Sequence, residues 1–159
     1  MIFLECKVFI AIFRDLIMKR GKMNILFVCK YNRFRSRIAE DYFKQLNKNK
    51  NINVFSGGIL QGHYPLDETE VKVAKANGVK LQGRPKGIPT DLLRTIDLIV
   101  IVANNVPKSI FNYENFKGKI IVWDVSDIFS GSSKVLIEKR INKIKRKVEK
   151  LAKKLESVK

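Results

Sequence analysis

The chain has 159 residues, of which 45% are hydrophobic, and its formal net charge is +17. This length suits one domain with one core. The two cysteines argue against a disulfide framework, and no Cys/His cluster has the spacing of a zinc site. So strong a positive charge favours an anionic partner, unless it only reflects a lysine-rich surface.

The first twenty-two residues, MIFLECKVFIAIFRDLIMKRGK, form a segment of their own. The uninterrupted apolar run covers residues 8–13, whereas a membrane-spanning helix needs about 20 residues. We therefore predict no membrane span. Residues 1–22 are interpreted as an N-terminal extension: an extra amphipathic helix, a surface anchor or a misassigned start. A catalytic domain is predicted over residues 23–159.

From Asn24 onward, short apolar strands alternate with helical segments. Strands are predicted at 24–29, 52–58, 97–103 and 119–125, and helices at 35–47, 67–78, 89–95, 106–113 and from 134 to the C-terminus. Continuous apolar strands separated by helices predict a parallel sheet that is covered on both faces. Ligands of such sheets bind at the carboxyl ends of the strands, which is where Cys29 lies.

The C-terminal segment 134–159 contains eleven basic residues and three glutamates. Its apolar residues recur at helical spacing, which predicts an amphipathic helix with a basic outer face. Nucleic-acid binding is possible but not favoured, because no aromatic residue is interleaved with this charge. The only histidine, His63, is expected to be a loop residue without a special role.

The stretch VCKYNRFRS, residues 28–36, joins the first strand to the first helix of the sheet. A loop this short can point successive N–H groups inward, and the helix N-terminus adds its own, so the loop can hold a phosphate. Cys29 would lie at the floor as a thiolate nucleophile, and Arg35 would bind two phosphate oxygens. Ser36 could donate to the sulfur, and Asn32 suits an unusual backbone conformation or a side-chain brace. A buried structural cysteine is the alternative.

Three stretches resemble a known family. VCKYNRFRSRIAE is similar to the phosphate-binding loop of the low-molecular-weight protein tyrosine phosphatases, FSGG to the turn after their second strand, and WDVSDIFSG to their late acid loop. Their superfamily includes thioredoxin-coupled arsenate reductases and protein arginine phosphatases. The resemblance implies an α/β flavodoxin-like three-layer sandwich with a four-stranded parallel sheet in the order 2-1-3-4. It also implies a cysteinyl-phosphate intermediate.

The resemblance implies that Cys29, Arg35 and Asp127 are catalytic, with Asp127 as the general acid and Asp124 as its competitor. The phosphate-binding residues would be Lys30, Tyr31, Asn32, Arg33, Phe34, Arg35 and Ser36. No cofactor or metal is implied. The expected substrate is a phosphorylated protein or peptide, and the expected location is the cytoplasm. The sequence does not indicate the oligomeric state.

Five positions depart from the family pattern. Tyr31 replaces a glycine, Phe34 a second cysteine, Arg37 a proline, Ile128 another proline, and Ala103 or Asn104 an acidic residue. The side chain of Tyr31 must then point away from the bound phosphate. Without a second thiol in the loop, Cys29 is expected to over-oxidise readily.

Two other functions stay open at this point. Thioredoxin-linked arsenate reduction needs further cysteines, yet none follows Cys29; the chain could also be a non-catalytic phosphate- or nucleic-acid-binding protein. Lys30, Arg33 and Arg37 are expected to make the mouth of the site basic, which favours an acidic phosphopeptide. Arg33 stands where the family's tyrosine and arginine phosphatases differ, and it fits neither pattern.

Overall fold

The computed structural model describes residues 2–62, 64–112 and 116–158, so His63 lies outside the described residues. The helices are α1 (Ile2–Arg20), α2 (Arg35–Leu46), α3 (Glu68–Ala76), α4 (Thr90–Thr95) and α5 (Lys134–Glu156), with a 3₁₀ turn at Lys108–Phe111. The strands are β1 (Met23–Cys29), β2 (Ile52–Gly58), β3 (Leu98–Val102) and β4 (Lys119–Trp123).

The four strands form one parallel sheet in the order β2-β1-β3-β4. This confirms the predicted α/β fold and strand order. The sheet order reverses between β1 and β3, and the register pairs Cys29 with Gly58 at the carboxyl end of β1. The first loop therefore leaves the sheet at the switch point, where parallel sheets bind ligands.

Alternate side chains of β1 enter two separate cores, one on each face of the sheet. Met23, Ile25 and Phe27 pack with residues of α2 and α5, while Leu26 and Val28 pack with those of α4 and the 3₁₀ turn. Five of the seven β1 residues are completely buried, which explains why the sequence of this strand is an almost continuous apolar run.

Helix α1 packs at the amino edge of the sheet, opposite the loop that follows β1. Phe13 and Ile17 are buried in the core, and Arg20 Nη1 lies 3.0 Å from Asp97 Oδ1, directly before β3. A helix thus occupies residues 2–20 of the predicted extension, while the division of the chain between residues 22 and 23 stays a prediction. Within the described parts of the chain, no helix combines the length and apolar character needed to cross a bilayer.

The predicted helix at 106–113 is wrong in type: only Lys108–Phe111 are helical, as a single 3₁₀ turn. Pro107 precedes this turn with extended backbone, and Asn112 ends it. Residue 113 lies outside the described residues. The apolar residues of this segment do not belong to a longer helix. They pack on the sheet, where Phe111 is buried and Ile110 is partly buried.

Candidate active site

The loop after β1 offers free backbone N–H groups around a buried cysteine. Cys29 is only 2% exposed, and α2 starts six residues later without a side-chain cap from Phe34. Among the described residues, the backbone N–H groups of 32–36 have no acceptor. Uncapped N–H groups at a helix N-terminus bind anions, so the loop has the chemistry of a phosphate site.

Asn32 braces this loop from inside. It is fully buried, and among the described non-glycine residues it is the one with a positive φ, which is 52°. Its Nδ2 donates to Ser36 Oγ at 2.8 Å and to Ser56 Oγ at 2.9 Å, and its Oδ1 accepts from Lys86 N at 2.9 Å. Both expectations for Asn32, the unusual backbone and the side-chain brace, are confirmed.

The hydrogen bonds of Asn32 leave the Ser36 hydroxyl hydrogen available to the sulfur. Ser36 Oγ accepts from Asn32, so its own hydrogen is free for Cys29 Sγ, which lies 3.0 Å away. On the other branch, Ser56 Oγ accepts from Asn32 and donates to Glu40. Ser36 can therefore donate to the sulfur, as the sequence predicted it could.

Glu40 ends this network as an ionised acceptor. Burial raises the pKa of Glu40, but hydrogen bonds from Lys44 and Ser56 outweigh this effect and hold the pKa below its usual value. The carboxylate therefore keeps the Ser56 hydroxyl pointing toward itself. Sequence reasoning missed the roles of Ser56 and Glu40, although both belong to stretches that carry the family resemblance.

Gly58 allows the loop to approach β2. A Cβ at Gly58 would lie 2.6 Å from the carbonyl carbon of Tyr31 and 2.7 Å from the backbone nitrogen of Asn32. The following residues continue this contact, because Ile59 N donates to Cys29 O at 3.2 Å and Leu60 N to Lys30 O at 2.9 Å. A larger residue at position 58 would displace the loop.

Arg35 connects the phosphate loop to the loop after β4. Its guanidinium is 1% exposed and donates to Val125 O at 2.9 Å, Asn105 Oδ1 at 3.1 Å and Asp127 Oδ2 at 2.7 Å. Its Nε is buried without an acceptor among the described residues. Such an unpartnered donor is costly, and a bound anion beside it would remove the cost.

Of the two aspartates after β4, Asp127 is the one that reaches the site. Its Oδ2 contacts Arg35, and its Oδ1 accepts from Ile128 N at 3.0 Å. Asp124 is exposed and acts instead on Lys147 of α5, whose pKa is lowered by burial and by the charges of two neighbouring lysines despite the opposing charge of Asp124. In the loop after β3, the Asn105 side chain accepts a hydrogen bond from Arg35, whereas the adjacent Asn104 amide donates to Ser126.

The expected basic rim is wrong for two of its three residues. Arg33 pairs with the buried Glu70 at 2.5 Å. Arg37 is 7% exposed and donates to the carbonyls of Gln82 and Gly83. Burial lowers the pKa of Arg37, while the negative charges of Glu40 and Cys29 act in the opposite direction. Partners this far along the chain could not be read from the loop sequence.

The remaining loop residues divide between surface and core. The Tyr31 ring lies edge-on against Tyr64, with 4.8 Å between ring centroids, and Lys30 Nζ lies 5.1 Å from the Tyr31 ring. Tyr64 is itself 54% exposed, so Tyr31 contributes to the surface around the site. Phe34 is buried in the core.

Glu70 and Asp67 link the two loops through the start of α3. Glu70 accepts from Arg33 and from Asp67 N, forming one half of a capping box. Asp67 caps Glu70 N at 2.8 Å, and its other oxygen accepts from Gly131 N at 3.1 Å. The expected helix start at Asp67 is confirmed, but its bridge to the late loop was not foreseen.

Solved structures of related fold come from several organisms. A low molecular weight protein tyrosine phosphatase from T. tengcongensis is 26% identical, with a TM-score of 0.71, and the match covers 84% of this chain and 100% of that one. The YwlE arginine phosphatase from Geobacillus stearothermophilus is 18% identical, with a TM-score of 0.72 and coverages of 85% and 94%.

An arsenate reductase from Archaeoglobus fulgidus is 22% identical, with a TM-score of 0.61, and the match covers 81% of this chain and 98% of that one. No curated protein sequence matches the chain significantly. The family model described as low molecular weight phosphotyrosine protein phosphatase matches residues 24–159. The chain therefore belongs to this family and is a hydrolase of the phosphatase class.

Proposed function

We propose that the chain is a metal-free phosphomonoesterase that hydrolyses phosphotyrosine in proteins through a cysteinyl-phosphate intermediate. The observation that carries the proposal is the 3.0 Å contact between Cys29 Sγ and Ser36 Oγ, beneath a loop whose N–H groups have no acceptor among the described residues. A thiolate held in an anion-binding loop is placed to attack a phosphorus atom bound by the same N–H groups.

In the first step, the Cys29 thiolate forms a bond to phosphorus and the bond from phosphorus to the leaving oxygen breaks. Arg35 and the loop N–H groups bind the three remaining oxygens, and Arg35 Nε gains an acceptor. Asp127 donates its proton to the leaving phenolate. Its carboxylate then takes a proton from water, which attacks phosphorus, breaks the bond to sulfur and releases inorganic phosphate.

Aromatic side chains around the site support an aryl phosphate as the substrate. The contacts of Arg33 with Pro65 and of Gly131 with Asp67 bring the segments that carry Tyr64 and Phe129 beside the phosphate loop. Phe129 is 74% exposed. Exposed rings beside a phosphate loop can pack on the ring of phosphotyrosine. With Arg33 paired and Arg37 buried, there is less reason to expect a preference for acidic peptides.

The test compares a phosphotyrosine peptide, a phosphoarginine peptide and para-nitrophenyl phosphate in the presence of a metal chelator. We expect turnover of the two aryl phosphates without metal, inhibition by vanadate, and slower turnover of phosphoarginine. Faster turnover of phosphoarginine would contradict the proposed substrate class, and dependence on metal would contradict the mechanism.

We propose the cytoplasm as the place of action. A cysteine nucleophile must be kept in its reduced form, and the cytoplasm is the compartment that keeps thiols reduced.

A further inference from the structure

Helix α1 presents an exposed apolar face that the fold does not use. The helix lies outside residues 24–159, which the family model matches. Its inner face buries Phe13 and Ile17, but on its outer face Val8 is 55%, Ile12 38% and Met18 76% exposed. Single exposed apolar residues are ordinary, but three on one face of one helix form a patch.

Basic residues surround this patch. Lys7 and Arg14 are exposed on α1, and the exposed Asp15 pairs with Lys19 at 2.8 Å. From α5, Lys154 Nζ lies 5.8 Å from the ring of Phe9, so the C-terminal end of α5 lies beside α1. Lys150 and Lys154 are both exposed and, being four residues apart on α5, lie on one side of that helix.

This surface lies on the opposite side of the molecule from the active site. Arg20 contacts Asp97, just before β3, and Asn49 Nδ2 donates to Val158 O at 3.3 Å, just before β2. Helix α1 and the end of α5 therefore lie beside each other at the amino edge of the sheet, while Cys29 lies at the carboxyl edge.

We propose that this basal surface, defined by Val8, Ile12, Met18, Lys150 and Lys154, binds the surface of an anionic lipid bilayer. Apolar side chains that enter the headgroup region and lysines that attract acidic headgroups together hold peripheral helices on membranes. Bound in this way, the protein would turn its active site away from the membrane toward its substrates. The proposal does not depend on the phosphatase function.

Two observations favour lipid over nucleic acid or a second copy of the chain. The exposed apolar residues of α1 have no role against a phosphate backbone, whose binding rests on cations and, for single strands, on stacking rings. The lysines around the patch, in a chain of net charge +17, would repel the same face of a second copy. A bilayer satisfies the apolar and the basic residues together.

The experiment is sedimentation of the full chain with vesicles of phosphatidylcholine containing phosphatidylserine, compared with phosphatidylcholine alone. We expect binding that requires phosphatidylserine and weakens with added salt. The double variant Lys150→Ala/Lys154→Ala should bind about 25-fold more weakly, at about fivefold per lysine. The triple variant Val8→Ser/Ile12→Ser/Met18→Ser should bind roughly tenfold more weakly.

Matched controls lie at the other end of α5. Val135→Ser changes a residue that is 77% exposed, and Lys134→Ala/Lys139→Ala removes two exposed lysines. Both should bind vesicles within about twofold of the unchanged chain. Thermal unfolding curves confirm that each variant is folded, whether or not the phosphatase proposal holds.

Four results would overturn the proposal. The first is no binding that depends on phosphatidylserine, and the second is an equal loss in the controls. The third is a tighter, salt-dependent complex with duplex DNA or RNA that the apolar variant leaves unchanged. A concentration-dependent dimer in sedimentation velocity, lost in the apolar variant, would assign the patch to a second copy and would also overturn the proposal.

Discussion

The phosphate loop, residues 28–36, and the acid loop, residues 123–131 after β4, lie across the site from each other and are held in different ways. On the phosphate loop, buried Asn32 makes three hydrogen bonds that fix Ser36 against Cys29. The residues of the acid loop are more exposed than Asn32: the Asp127 side chain is 21% exposed, and Phe129 is 74% exposed. Its links to the rest of the site include Arg35 and the bond from Gly131 to Asp67.

This difference separates the proposed nucleophile, which is placed before substrate arrives, from the proposed acid, whose placement depends on Arg35. Arg35 holds Asp127 at 2.7 Å in the structure, and the proposed mechanism also requires it to bind phosphate. A bound phosphate would share the charge of Arg35 and weaken its hold on Asp127.

The largest effect is expected for Cys29→Ser. Replacing the nucleophile should lower turnover of para-nitrophenyl phosphate by at least roughly 10³-fold, because serine at this position has no base to activate it. Phosphate should still bind, since the N–H groups and Arg35 remain. Steady-state kinetics and phosphate binding by calorimetry check both outcomes. Turnover near that of the unchanged chain would reject Cys29 as the nucleophile.

The second largest loss of turnover is expected for Asp127→Asn, which tests the acid loop. We expect turnover of a phosphotyrosine peptide to fall by roughly 10²–10⁴-fold, and that of an ester with a better leaving group to fall less. Asp124→Asn, in the same loop but exposed and away from Arg35, is the matched control. A larger loss in the control would assign the acid to Asp124.

The same comparison explains which parts of the site the sequence could predict. The phosphate loop is local: its nucleophile, brace and anion-binding N–H groups lie within residues 29–36, at a junction of strand and helix that the apolar pattern marks. Asn32 was foreseen because a short loop restricts backbone conformation, and few non-glycine residues accept positive φ. Local chemistry of this kind leaves a local signal.

Contacts between distant segments left no such signal. Arg33 reaches Glu70, and Arg37 reaches Gln82 and Gly83, 37 to 46 residues away along the chain. The charge pattern of the loop alone predicted a solvated rim, but the fold supplied an acceptor for each guanidinium. The contact of Arg35 with Asn105 was not predicted either, and the adjacent Asn104 has a different partner, Ser126.

The next prediction tests the brace of the phosphate loop. Asn32→Ala removes three hydrogen bonds and leaves alanine at a φ of 52°, so we expect a loss of about 2–4 kcal/mol in the free energy of unfolding. Asn104→Ala, which removes one exposed hydrogen bond of 3.3 Å, should cost less than about 1 kcal/mol. Urea unfolding measures both. Equal losses would mean that Asn32 does not brace the loop.

The smallest effect is expected where the acid loop meets α3. Asp67→Ala removes a helix cap and the acceptor of Gly131 N, at a cost of about 1 kcal/mol at neutral pH. Hydrogen bonds from the backbone of Glu70 and Gly131 lower the pKa of Asp67 below its ordinary 3.8. Its contribution is therefore present above the unfolded pKa and is lost as the pH falls through the lower folded value.

The difference between Asp67→Ala and the unchanged chain in urea unfolding should therefore shrink as the pH falls below the ordinary aspartate pKa of 3.8. Ser133→Ala is the control, because it removes the cap of α5, a hydroxyl that does not titrate, so its cost of about 1 kcal/mol should stay constant with pH. If the Asp67 difference stays constant as well, its carboxylate does not tie the acid loop to α3. The acid loop would then depend on Arg35 still more than the structure indicates.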